Sequence, residues 1–173
     1  SGPFSALAHV EVPRALAAAG IDLLHSPHFD VPLLWTGRQV TTIHDCAPQV
    51  VPGELASTRG MLYYRLMMLF ALSRSHAVIT VSEFTKKEVC RLYRITPRKI
   101  HVIHTGLHTG GSERRSEEPG DWEALAGYGI RDNFGLYVGL PRPRKNLRRL
   151  VAALGKALAE LGPAAQFVFA GKA

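Results

Sequence analysis

Residues 135–154 read Gly-Leu-Tyr-Val-Gly-Leu-Pro-Arg-Pro-Arg-Lys-Asn-Leu-Arg-Arg-Leu-Val-Ala-Ala-Leu, and this stretch permits few folds. Leu136, Tyr137 and Val138 form a short apolar run ending at Gly139, the pattern of a buried strand. Pro141 and Pro143 cannot donate to a strand ladder, so a loop must follow. Leu147, Leu150, Val151, Leu154, Leu158 and Leu161 then recur at helical spacing and predict a long helix with one apolar face. Asn146 stands just before that helix, where its side chain is expected to accept a backbone N–H.

The loop between strand and helix carries Arg142, Arg144 and Lys145. A helix N-terminus already presents unpaired N–H donors and partial positive charge. Three cations there oppose the dipole unless an anion binds. Arginine grips phosphate oxygens in a fork and lysine adds a point charge. These residues are therefore candidates for a phosphate or diphosphate site; the alternative is a solvated basic loop. Neither a dinucleotide glycine fingerprint nor a Walker pattern is present.

The chain has 173 residues, enough for one ordinary domain or pieces of two, and 46% are hydrophobic, enough for a packed core. A net charge of +7 favours anionic partners: nucleotides, nucleic acid or an acidic membrane surface. Nucleic acid is disfavoured, because the basic residues are scattered, aromatics do not interleave with them and no nucleic-acid motif is present. Cys46 and Cys90 lack metal-ligand spacing and read as reduced thiols of a cytoplasmic protein. No signal peptide opens the chain. Its most apolar run, 61–72, is too short to span a bilayer and contains Arg65.

In chain order, Pro13 and Gly20 predict the first turn and the end of an opening helix. Residues 21–25 read as a strand, and so abrupt a start predicts further sequence upstream. His25 and His28 make an H-x-x-H pair, but Pro27 disfavours a helix there and no further ligands are evident, so no metal is expected. Residues 40–45 are a second strand and its exit. Ligands of parallel α/β sheets bind beyond the carboxyl ends of strands. His44 and Asp45 lie at such an end and are candidate catalytic or substrate-orienting residues. Asp45 either orients His44, binds a hydroxyl or caps a turn.

Residues 48–58 read as an irregular loop. Residues 60–75 read as a core helix, with Leu62, Leu66, Leu69, Phe70 and Ser73 on one side. With Arg59, Arg65 and Arg74, this helix also fits contact with a membrane or lipid acceptor. Residues 77–81 are a third strand, and Ser82 caps the next helix with Glu83 in its first turn. Residues 100–103 are a fourth strand. His101 and His104 fall on opposite faces and make no metal pair. Residues 107–120 read as a linker or mobile loop, 121–128 as a short helix and 166–170 as a last strand. Two strands and one long helix do not close an α/β domain, so the chain is expected to be cut at both ends.

Four phrases in order carry a family resemblance: Thr42-Ile-His-Asp45, Val78-Ile-Thr-Val-Ser-Glu-Phe-Thr-Lys86, Arg98-Lys-Ile-His-Val-Ile103 with Gly106, and Tyr137-Val-Gly139 with Pro143-Arg-Lys-Asn146. Over residues 24–171 the chain resembles the middle of a family 4 retaining glycosyltransferase (glycosyl transferases group 1). The resemblance implies a GT-B fold, an α/β architecture of two Rossmann-like domains with parallel sheets facing across a cleft. Residues 1–106 would be the end of the amino-terminal, acceptor-side domain. Residues 107–132 would be a linker with a short helix, and 133–173 the start of the carboxy-terminal donor domain.

The resemblance also implies roles. His44, with Asp45 beside it, matches the catalytic-site histidine close to the donor sugar and its phosphate. Lys145 matches the lysine on the donor diphosphate. The arginine expected after the strand glycine is replaced by Leu140, which leaves Arg142 or Arg144 to substitute. Gly139, Asn146, Ser82, Glu83 and Gly106 would line the donor site or cleft. His104-Thr-Gly106 stands where the family has Pro-Asn-Gly. The family's amino-terminal glycine-rich loop would precede Ser1 and its carboxy-domain glutamate pair would follow Ala173. Residues 1–173 alone are therefore expected to transfer little or no sugar. The implied partners are a GDP-mannose-like or other nucleoside-diphosphate hexose and a glycan or lipid-linked acceptor. No cofactor or metal is implied. The expected setting is cytoplasmic, with peripheral contact at the anionic inner face of the cell membrane as an open alternative. Another sugar-nucleotide enzyme, such as an epimerase, and a non-catalytic basic binding domain stay open as alternatives.

Overall fold

A computed structural model describes residues 7–55, 57–106, 119–131, 134–162 and 165–171. The chain divides into two compact units, Ser1–Gly106 and Leu107–Ala173. The expected linker over 107–120 lies outside the described residues up to 118.

The first unit runs α1 (Ala8–Ala18), β1 (Leu23–Ser26), β2 (Arg38–Ile43), a one-turn helix α2 (Ala47–Val50), α3 (Thr58–Arg74), β3 (Ala77–Thr80), α4 (Glu83–Tyr93) and β4 (Ile100–Val102). Its four strands pair in sequential order, all parallel. Crossovers of one hand between sequential neighbours bring their helices to one face. Accordingly α3 and α4 share one core, in which Tyr64, Met68 and Leu72 of α3 and Val89 of α4 pack with Ile43, Val78 and Ile100 of the strands.

Capping residues set the helix limits. Ser57 accepts the Gly60 N–H at 3.0 Å and starts α3. Lys99 Nζ donates to the carbonyls of Leu72 and Ser73, at 2.6 and 3.0 Å, and closes its far end. α1 ends in a paired reverse turn: Gly20 N–H meets Ala17 O and Ile21 N–H meets Leu16 O, with Gly20 at φ +63°. Pro13 lies inside α1 and is buried, rather than in the first turn expected for it. The helix begins at Ala8, five residues earlier, so packing of the proline ring outweighs the loss of one helix bond.

The buried side of α3 differs from the one expected. Tyr64, Met67, Met68, Ala71 and Leu72 are inside, while Leu62, Leu66 and Leu69 face solvent. Both sides of this helix are apolar, so periodicity alone does not choose between them. A polar group makes contact where hydrophobicity is silent. Gln39 Nε2 donates to Thr41 Oγ1 (3.0 Å) and Ser75 Oγ (3.2 Å), all three residues being buried. Ser75 Oγ donates to Ala71 O at 2.7 Å, so Thr41 is the donor in its own 2.7 Å bond to Ser75.

The second unit runs α5 (Pro119–Gly127), β5 (Phe134–Val138), a one-turn 3-10 helix (Pro143–Lys145), α6 (Leu147–Leu161) and β6 (Gln166–Ala170). β5 and β6 pair in parallel, the crossover being α6. Among the described residues of this unit none is buried. Leu147, Leu150, Leu154 and Leu158 are half-buried, whereas Val151 and Leu161, expected on the same face, are exposed.

Candidate functional site

In open parallel α/β sheets ligands bind in the crevice outside the carboxyl ends of the strands. In the first unit three segments converge on His44. β2 ends at Ile43 and delivers His44 exposed. Its Nε2 lies 3.0 Å from the carbonyl of Pro27, in the loop after β1. A carbonyl only accepts, so Nε2 carries the hydrogen and Nδ1 holds the lone pair of the neutral ring. The His44 carbonyl in turn accepts the Thr85 hydroxyl at 3.2 Å.

Thr85 belongs to α4. Ser82, the N-cap, accepts the Thr85 N–H at 3.1 Å, and the two hydroxyls lie 3.0 Å apart. Because the Thr85 hydrogen goes to His44, Ser82 must donate in the hydroxyl pair. Glu83 follows in the first turn and is exposed. Asp45 Oδ1 accepts the Ala47 N–H at 2.9 Å, so of the three roles open to Asp45 the structure shows the turn cap. That bond starts α2, within the segment read as irregular loop.

The β1 exit contributes further histidines. His25 Nε2 lies 2.9 Å from Thr42 Oγ1 and ties β1 to β2. His28 Nδ1 accepts the Asp30 N–H at 3.4 Å, and its ring lies 4.1 Å from that of Phe29. Burial holds the His28 imidazole below its ordinary pKa, against the opposing pull of Asp30, while His44 pushes in the same direction as burial. Asp30 also accepts the Tyr63 hydroxyl. A cleft of about 200 Å³ opens here, lined by His9, Val12, His25, Ser26 and Asp30 among others. Among the described residues no three His, Cys, Asp or Glu side chains converge as a metal site.

In the second unit β5 ends at Val138 and Gly139 follows, with a φ of +146° that suits glycine. Gly139 N–H donates to Ala170 O at 2.9 Å, and a Cβ on Gly171 would lie 2.2 Å from Gly139 O. The backbones at the two strand ends thus touch, which a side chain on Gly171 would prevent. A cleft of about 220 Å³ adjoins them, lined by Tyr137, Gly139, Pro141, Leu147 and Phe169 among others. Arg142, Arg144 and Lys145 are exposed, the last two within the 3-10 turn. None of the three lines that cleft, nor does Asn146.

Asn146 precedes α6 but does not cap it with its side chain. It is left-handed, at φ +50°, because it ends the 3-10 turn and begins α6 at once. Its carbonyl accepts from Arg149 and Leu150, at 3.1 and 3.2 Å. Gly106 ends the first unit with open space where a Cβ would stand, so no side chain is excluded there.

A family model, Glycosyltransferase Family 4, matches residues 1–110. The chain belongs to that family. O-antigen chain mannosyltransferase RfbU of Salmonella typhimurium is 25% identical over 129 residues, which are 75% of this chain and 31% of the relative. O-antigen chain mannosyltransferase B of Escherichia coli is 29% identical over 132 residues, 76% of this chain and 34% of the relative. The chain thus spans about a third of the length of these curated relatives. A glycosyltransferase from Rickettsia africae ESF-5 superposes with a TM-score of 0.53 at 16% identity, covering 99% of this chain and 54% of that one. With the parallel sheets of both units, this supports the Rossmann-like, GT-B type architecture.

Within this Family 4 chain the structure brings His44, Ser82 and Asp45 to neighbouring strand exits. It adds Thr85, Pro27 and His28, which sequence reasoning did not assign. Thr85 had one visible signal, its place three residues after a serine N-cap. Pro27 contributes only a backbone carbonyl, which no sequence pattern displays.

Proposed function

We propose that this chain is part of a retaining glycosyltransferase that moves a hexosyl group, mannose-like, from a nucleoside-diphosphate sugar to a glycan or lipid-linked acceptor. The observation that carries the reading is His44: it stands exposed at a strand exit, held from two sides, with Nδ1 left to accept from a donor hydroxyl or, when protonated, to donate to a phosphate oxygen. The names of the two curated relatives, both O-antigen chain mannosyltransferases, favour a mannose donor such as GDP-mannose and a cell-envelope polysaccharide product. Such an acceptor would be met on the cytoplasmic side of the cell membrane.

Departure of a nucleoside diphosphate builds negative charge on its oxygens, and preorganised cations stabilise that charge. Lys145 with Arg142 or Arg144 takes this part in the proposal, and Gly139 allows close backbone approach. His44 steadies the donor sugar and its phosphate. Asp45 acts as a positioning residue by fixing the turn that follows His44. Residues 107–132 serve as the link between an acceptor-side part, 1–106, and the beginning of a donor-side part, 133–173.

The test uses the full-length protein with GDP-mannose and other nucleoside-diphosphate hexoses, with the anomer of the product read by NMR. Transfer with retention is expected, and His44→Ala should slow it about a hundredfold or more. An inverted product, or a His44→Ala enzyme as fast as the parent, would sink the reading.

A further inference from the structure

His44 is held at two points of unequal kind. Thr85 binds its carbonyl and fixes the main chain, whereas the ring is turned by its hydrogen bond from Nε2 to the carbonyl of Pro27 at 3.0 Å. The direction of that carbonyl therefore decides which ring nitrogen faces the loop. The pyrrolidine ring fixes φ of Pro27 at about −65°, so ψ is the soft angle left to aim its carbonyl. Rotation about ψ also carries the residue that follows. Ser26 spans this joint: its hydroxyl reaches over Pro27 and donates to the carbonyl of His28 at 2.9 Å. Turning the Pro27 carbonyl away from His44 would pull His28 O out of reach of Ser26.

Ser26 has a firm base for this task. It is buried, and its backbone lies opposite Thr41 in the β1–β2 ladder, so its hydroxyl starts from a fixed point. The far end of the loop is fixed without it. Asp30 accepts the hydroxyl of Tyr63 on α3, and Val31 is fully buried in a cluster with Met67 and Ala71 of the same helix. Loss of the Ser26 hydroxyl would therefore free ψ of Pro27 without releasing the loop from α3. We propose that Ser26 is a positioning residue for His44. By locking the Pro27 carbonyl it keeps the hydrogen of the neutral ring on Nε2 and leaves Nδ1 as the acceptor. The consequence for sugar transfer rests on the reading of His44 given above; the setting of the ring does not.

The experiment compares the full-length protein with its Ser26→Ala and Ser26→Thr variants. The first readout is the nitrogen–proton spectrum of isotope-labelled histidine at about pH 8.5, where an ordinary imidazole is neutral. The His44 signals are those missing from His44→Ala. The parent should carry the hydrogen on Nε2, Ser26→Ala should show a growing share on Nδ1, and Ser26→Thr, which keeps the hydroxyl, should match the parent. The second readout is transfer. Ser26→Ala should lower kcat about tenfold with donor KM within about twofold, because geometry and not a donor contact is lost. In the His44→Ala background the same change should cost no more than about twofold, since residues acting through one group are not additive. A serine that only steadied the fold would slow both backgrounds alike and leave the ring spectrum unchanged. Thermal melting controls for folding, and Ser26→Cys, similar in size but a weak donor, serves if Ser26→Ala does not fold. The proposal is overturned if the His44 ring spectrum is the same without the hydroxyl, or if Ser26→Ala slows the His44→Ala enzyme as much as the parent. A His44→Ala enzyme as fast as the parent would remove the reading of the site instead, and the ring spectra would still judge Ser26.

Discussion

Thr85 donates its hydroxyl hydrogen to the carbonyl of His44 across 3.2 Å, joining the first turn of α4 to the end of β2. Thr85 is buried, so its hydroxyl has no water to fall back on. Thr85→Val keeps the shape and removes the donor. We expect a loss of about 1–2 kcal/mol, and a melting temperature several degrees lower. Transfer by the full-length enzyme should fall with it, and Thr85→Ser should restore both. A Thr85→Val protein with unchanged melting and turnover would show that the bond holds nothing in place.

Lys145 tests the other unit separately. It is exposed in a one-turn helix and packs into no core. Lys145→Ala should leave thermal stability within about 0.5 kcal/mol of the parent. In the full-length enzyme the KM for the donor should rise about ten- to hundredfold, the value of a charge-assisted bond to phosphate. Titration with the free nucleoside diphosphate would show the same loss without any turnover.

Acid should weaken the first unit through His28. Its imidazole is held below the ordinary 6.5 in the folded chain, burial being the main cause. The folded state therefore binds fewer protons than the unfolded state between the two values. The stability this group leaves intact at pH above about 6.5 is lost as pH falls through that value, and the loss levels off below the folded pKa. Urea midpoints at pH 7.5 and 5.5 should separate more for the parent than for His28→Gln. Equal separation would place the acid sensitivity elsewhere.

Cys46 and Cys90 should differ in reactivity. Burial pushes the Cys46 thiol up to about 11, with Glu88 and Asp45 acting in the same direction. The thiolate is the reactive form, so Cys46 stays almost wholly unreactive at pH 8. Peptide mapping after brief iodoacetamide treatment should find label on half-buried Cys90 alone. Both should react in denaturant.

The two sides of α3 predict opposite outcomes for similar changes. Met68→Ala opens the core and should cost about 2–5 kcal/mol. Leu66→Ala acts on an exposed side chain and should stay within about 0.5 kcal/mol. Denaturant unfolding of the two variants decides which side is inside.

Much of the architecture was legible because its signals are local. The strand read at 166–170 matches β6, and the β-branched run at 77–81 gives β3 to within one residue. Ser82 caps α4 as its sequence predicts. The failures were tertiary. The facing of α3 depends on partners far along the chain, and Asn146 yields its side-chain cap to the geometry of the turn before it. His44 was legible as a strand-exit histidine, whereas its two anchors were not: one is a carbonyl 17 positions away and the other a hydroxyl 41 positions away.

The buried trio Gln39, Thr41 and Ser75 acts as a rotational key. A helix with apolar residues on both sides has more than one orientation of similar hydrophobic energy on the same sheet. Rolling α3 to bury Leu62, Leu66 and Leu69 would move Ser75 at its end away from Gln39 and Thr41; those two still bond each other, but the Thr41 hydroxyl hydrogen would lose its acceptor inside the core. The two hydrogen bonds to Ser75 add little net attraction, yet they penalise orientations that break them. Apolar replacement of all three would retain the packing energy and remove the choice of side, so a well-folded but orientationally mixed helix is what the key prevents.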